Sequence, residues 1–154
     1  MKKIFFLVIL SAALFHGCIE APDYPIEPVI EFVEINKTQI IAQTIPEDAN
    51  RALDTLIIKF SFTDGDGDLG GDTLNVFLID ARLGNAGESY PINDIPQAGA
   101  TNGISGEITI MIPKTFCFRN SPPRDSLIYS IQIVDKAGHQ SNIIQTPAIE
   151  LVCD

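Results

Sequence analysis

The 154-residue chain contains no tryptophan, two histidines and three cysteines, and it sets 10 Lys and Arg against 20 Asp and Glu. Each shortage excludes something. Without tryptophan a sugar-stacking platform has little support, although Tyr90 on a strand edge could serve as one. His139 is the sole histidine beyond His16, so a zinc site lacks ligands and no Ser/His/Asp set is suggested by spacing. A net charge of −10 repels nucleic acid and anionic headgroups, which removes nucleic acid as a broad partner. No segment carries a helical period with caps, apart from a turn at 46–52. The glycines join strands and precede no helix, so there is no phosphate-cradling loop. Long hydrophobic runs are missing too: the apolar stretch at 4–15 falls short of the roughly 20 residues a spanning helix needs.

That stretch does carry an address. Lys2 and Lys3 precede it and His16-Gly17-Cys18 follow it, which is the layout of a secretory signal. Gly17 directly before Cys18 resembles the lipobox of bacterial lipoproteins, with Phe15 and His16 in place of the usual leucine and small residue. The resemblance implies that residues 1–17 are removed and that Cys18 becomes the lipidated first residue; plain secretion is the alternative. Two or more acyl chains anchor stably where one does not. Ile19, not aspartate, follows Cys18, which points to the outer membrane, at its periplasmic face or at the cell surface. Losing Lys2 and Lys3 takes the net charge from −10 to −12. With Cys18 assigned to lipid, Cys117 and Cys153 remain as a pair that an exported protein should oxidise. Closing that loop would contribute about 4 kcal/mol on a chain-entropy account; two free buried thiols are the other reading.

Residues 18–28 follow as an anchor and tether. Pro22, Pro25 and Pro28 alternate with Glu20, Asp23 and Glu27, which argues for extended chain holding the domain roughly 30 Å from the bilayer. Residues 29–154 then read as strands. Leu56, Ile58, Phe60 and Phe62 alternate with more polar neighbours, as do Ile108, Ile110 and Ile112, then Leu127, Tyr129, Ile131 and Ile133, then Ile149, Leu151 and Cys153. Weaker strand signals lie at 29–35, 74–81 and 88–92. About seven short strands punctuated by Gly, Pro and Asp indicate an all-β fold, an immunoglobulin-like antiparallel β-sandwich.

The densest chemistry is Asp64-Gly65-Asp66-Gly67-Asp68-Leu69-Gly70-Gly71-Asp72. Four carboxylates this close repel unless water, amides or a cation neutralise them. An EF-hand fits at positions 1, 3 and 5 (Asp64, Asp66, Asp68) but fails at position 6, where Leu69 replaces glycine, and at position 12, where Asn75 replaces glutamate. Two readings remain: a calcium site, since calcium takes six to eight oxygens in flexible geometry, or a solvated Asp-Gly turn. Four aspartates on one loop look more like ligands than like an acid and a nucleophile held apart.

The run LIYSIQIVDKAGHQSN resembles the end of bacterial immunoglobulin-like and fibronectin-III-like domains, in which alternating hydrophobes lead to an Asp-x-Ala-Gly-Asn-x-Ser turn. Asp135, Ala137, Gly138 and Ser141 match, and His139 stands at the asparagine. Together with FSFTDGDGDLG and the lipobox-like start, the chain resembles outer-membrane lipoproteins of Bacteroidota that carry such a domain. The resemblance implies fold and address and no activity. In such a sandwich the loop after the second strand meets the loop after the sixth, so Asp135 should join Asp64, Asp66, Asp68 and Asp72. The opposite end should bring Cys153 to Cys117. The expectation is a non-enzymatic, lipid-anchored accessory or interaction subunit of an outer-membrane complex, with a protein partner and calcium in its acidic loop. The alternative is a surface lipoprotein that binds a nutrient or glycan.

Overall fold

The computed structural model describes residues 23–43, 54–71, 74–84, 87–93, 95, 103–118 and 123–153. The signal segment, Cys18, the expected turn at 46–52 and Asp72 lie outside the described residues.

Period-two alternation builds the strands. In β3 (Leu56–Asp64), Leu56, Ile58, Phe60 and Phe62 are buried, and the residues between them are half-buried. It lies between β1 (Val29–Ile35) and β6 (Ile104–Ile112), antiparallel to both. A second sheet has the order β5 (Gly87–Pro91), β4 (Leu74–Asp80), β8 (Tyr129–Ile133), β9 (Ile144–Gln145). A third places β10 (Ile149–Val152) between β7 (Arg124–Leu127) and β2 (Gln39–Ile41). The inward rows of the three sheets meet in one core, where Phe60, Ile30, Leu78, Leu127, Ile131 and Leu151 are fully buried. Each such side chain stabilises the fold by about 1.5–3 kcal/mol relative to exposure. The result is the expected all-β sandwich.

Among the described residues there are ten strand segments where about seven strands were expected: the sixth (126–134) and seventh (143–153) expected strands each divide between two sheets, and β2 is a strand that was not expected. The sixth shows why. At Ile128 the chain changes partner: β7 pairs with β10, β8 pairs with β4, and the Ile128 carbonyl accepts the Ala81 N–H at 3.0 Å. The seventh divides beside Thr146, whose hydroxyl accepts the Tyr129 N–H at 3.1 Å. The added strand, β2, pairs parallel to β10, so the start and end of the domain close against each other.

The core has two poles. At one, Cys117 (after β6) and Cys153 (after β10) form a disulfide with their Cα atoms 5.7 Å apart. At the other, the β3–β4 loop meets the β8–β9 loop.

Candidate metal centre

Strand alternation delivers the first ligand. Asp64 is the next inward position after Phe62, so its carboxylate continues the apolar row of β3 and is 0% exposed. The same step along the opposing sheet, from Tyr129, Ile131 and Ile133, leads to Asp135, also buried. The loop then folds Asp66 and Asp68 over this pair. Asp64, Asp66, Asp68 and Asp135 each present a carboxylate oxygen, all within 4.8 Å of one another.

The loop holds this shape through contacts that glycine permits. A Cβ on Gly65 would lie 2.4 Å from the Tyr24 carbonyl oxygen and 2.5 Å from that of Pro25. Its N–H instead donates to the Pro25 carbonyl at 2.8 Å. Gly70 has φ +105°, and a Cβ there would lie 2.9 Å from the Asn93 carbonyl oxygen. Residues 23–28, expected as the end of the tether, therefore run along the acidic loop, and Pro28 is buried.

The carboxylates are partly satisfied. Asp64 Oδ2 accepts the Leu69 N–H at 2.9 Å. Asp135 Oδ1 accepts the N–H groups of Gly138 and His139, each at 2.7 Å. Asp68 takes hydrogen bonds from the Lys136 and Ala137 backbone, which ties one loop to the other. Asp64 Oδ1 and Asp68 Oδ1 are buried with no hydrogen-bond partner. Burial pushes the Asp64 carboxyl up to about 6 against the lowering effect of the Leu69 N–H. A hydrogen bond shared with Asp66 when one of the two is protonated, and then the charges of Asp66 and Asp68, add to the rise, so Asp64 Oδ1 is without a partner when both are ionised. Asp68 is raised by burial first and then by Asp135 and Asp66. Two charges 4 Å apart repel by about 4 kcal/mol near a protein surface, so four ionised groups here require a counter-charge.

His139 has more to do than occupy a turn. Its Nδ1 is 2.8 Å from Asp135 Oδ2 and 3.9 Å from Asp66 Oδ2. The hydrogen bond to Asp135 raises the imidazole pKa. With Nδ1 protonated, His139 donates to Asp135 and orients it, as a group behind a metal ligand does.

A second charged cluster, missed by sequence reasoning, lies at the far end of β4. Arg82 clasps Asp80 through Nε at 3.0 Å and Nη2 at 2.7 Å, reaches Asp125 at 3.3 Å, and stacks 4.8 Å from the Phe118 ring centroid. Tyr90, the candidate sugar platform, is hydrogen-bonded to Glu88.

No protein-family model matches the chain, and neither a curated protein nor a solved structure matches it.

Proposed function

We propose that the protein is a non-enzymatic, lipid-anchored outer-membrane domain that serves as an accessory or interaction subunit of a membrane complex, its acidic pole braced by one calcium ion. The observation that carries the calcium reading is Asp64: a carboxylate with no exposure and one orphaned oxygen, facing three more carboxylates. Burying such a group without compensation costs several kcal/mol. The donor set fits the ion. Every candidate ligand atom in the group of four is a carboxylate oxygen, the preference of a hard cation; the overlapping group Asp66, Asp135 and His139 adds a single nitrogen, short of the nitrogen- and sulfur-rich sets of structural zinc sites. Asp64, Asp66, Asp68 and Asp135 would hold the ion, with His139 and the N–H groups of Leu69, Gly138 and His139 fixing the carboxylates. The bound ion would supply positive charge and a rigid junction between two loops.

Location adds to the reading. The Gly65–Pro25 hydrogen bond puts the acidic pole where the chain comes into the domain from its N-terminal side. Glu27 is close enough to contribute to the raised pKa of His139. A cation here would stiffen the join between domain and tether and leave the sheet faces and the disulfide pole for partners. Calorimetric titration of chelator-treated protein with calcium chloride tests the site. One ion per chain is expected, with a dissociation constant anywhere up to about 10⁻³ M, the range of extracellular modules. Absence of heat and of saturation at tenfold that concentration, about 10⁻² M, would overturn it.

A further inference from the structure

The segment that leads into β1 is held at the acidic pole by a seat in which two glycines take part. Tyr24 lies against Gly103, the residue before β6, and against the start of the β3–β4 loop. A Cβ on Gly103 would lie 2.7 Å from the Asp64 carbonyl oxygen, 2.9 Å from Tyr24 Cδ2 and 3.1 Å from the Gly65 Cα. A Cβ on Gly65 would meet the Tyr24 and Pro25 carbonyl oxygens. Both segments thus leave out a side chain where Tyr24 and Pro25 approach. The Tyr24 hydroxyl reaches Ser105 Oγ at 3.4 Å, and the Gly65 N–H donates to the Pro25 carbonyl at 2.8 Å. The chain then bends at Ile26 and Glu27, both exposed, before Pro28 is buried.

Gly65 also joins two of the candidate ligands. Asp64 is fixed by its strand, whereas Asp66 is exposed and Asp68 half-buried on the loop. Without an ion the ionised carboxylates repel one another. Asp66 and Asp68 are the ones with room to move apart, and they take the Gly65 N–H with them. The segment adds an acid of its own, since Glu27 is near enough to act on His139. A cation offsets both repulsions at once. We propose that the site is a latch: with calcium bound the loop seats residues 23–27, and without it the loop releases them. The proposal rests on the calcium reading. Release frees about 15 Å of extended chain, so calcium sets how far the domain stands from an anchor at Cys18. Linkage is reciprocal, so seating the segment tightens calcium binding by the factor by which calcium tightens the seat.

The test is NMR of the full chain in saturating calcium and in chelator, paired with calorimetric calcium titration of the wild type and of Tyr24→Ala. The NMR readout is the nuclear Overhauser contact between the Tyr24 ring and the Gly103 α-hydrogens. That contact should be strong with calcium and at least tenfold weaker in chelator, with faster exchange of the residue 65 amide. Tyr24→Ala should bind calcium at least tenfold more weakly, although Tyr24 is not among the candidate ligands. Calcium binding with a contact of equal strength in both conditions would overturn the latch and leave the site standing. Equal calcium affinity in wild type and variant would do the same. If the variant fails to fold, the wild-type contact decides. No calcium binding up to about 10⁻² M would overturn site and latch together.

Discussion

Asp64 and Asp135 end two apolar rows that face each other across the sandwich, one on β3 and one beyond β8, and both are buried at the same pole. The core thus terminates in carboxylates where alternation would otherwise place hydrophobes. An acid at the end of a buried row is costly alone and stabilising around a cation, which is why the account turns on this pair.

The first prediction concerns pH. The Asp64 carboxyl is raised to about 6 from 3.8, so between those values the ion-free folded protein binds more protons than the unfolded chain. Stability then falls as pH rises through this window. Asp54 and Glu150, lowered by Lys37 and Arg124, act in the opposite sense at the acid edge. The contribution of Asp64 is therefore read as a difference from Asp64→Asn. Thermal melts in chelator from pH 4 to 6 should show the wild type losing stability relative to the variant, and saturating calcium should remove that loss.

Gly65→Ala should loosen the join between tether and domain. The new Cβ would meet two backbone carbonyl oxygens at 2.4 and 2.5 Å, neither of which can swing aside as a side chain can. A loss of about 1–3 kcal/mol is expected. Faster hydrogen exchange at the residue 65 amide, together with new cleavage near Tyr24, would distinguish local release from general weakening.

Reduction of the Cys117–Cys153 bond, or Cys153→Ser, should cost about 4 kcal/mol in denaturant unfolding. Calcium affinity should stay the same, because the bond and the acidic loop occupy opposite poles.

The membrane reading is checked by mass and by partners. The membrane-extracted protein should begin at a lipid-modified Cys18, and Cys18→Ser should release it from the membrane fraction. A tagged protein recovered from detergent-solubilised membranes with no stoichiometric partner would count against the complex.

Much of the fold was legible because alternation is local. Leu56 to Phe62 and Tyr129 to Ile133 named their own inward faces, and one further step of period two marks Asp64 and Asp135 as buried. The convergence of the two loops followed from strand order. Asp72 lies outside the described residues and was not placed. What was not legible depends on distant partners. Arg82 and Asp125 stand 43 residues apart, and nothing local marks them as a pair. β2 is three residues long and exists by pairing with β10. Strand order sets the tether on the acidic loop's side, but proline density at 22–28 reads as extended chain, and the packing of Tyr24 and Pro25 against the loop depends on the absent side chain of Gly65. His139 reads as a turn residue because its contact with Asp135 depends on how the turn closes.

The central claim is that the acidic pole holds calcium, and its most direct test is the melting midpoint of the full chain with calcium and with chelator. At 100 times the dissociation constant, calcium should add about 2.7 kcal/mol and raise the midpoint by several degrees. The Asp64→Asn/Asp135→Asn double variant should not respond. A wild-type midpoint unchanged at about 0.1 M calcium, 100 times the weakest dissociation constant allowed, or an equal rise in the double variant, would contradict the account.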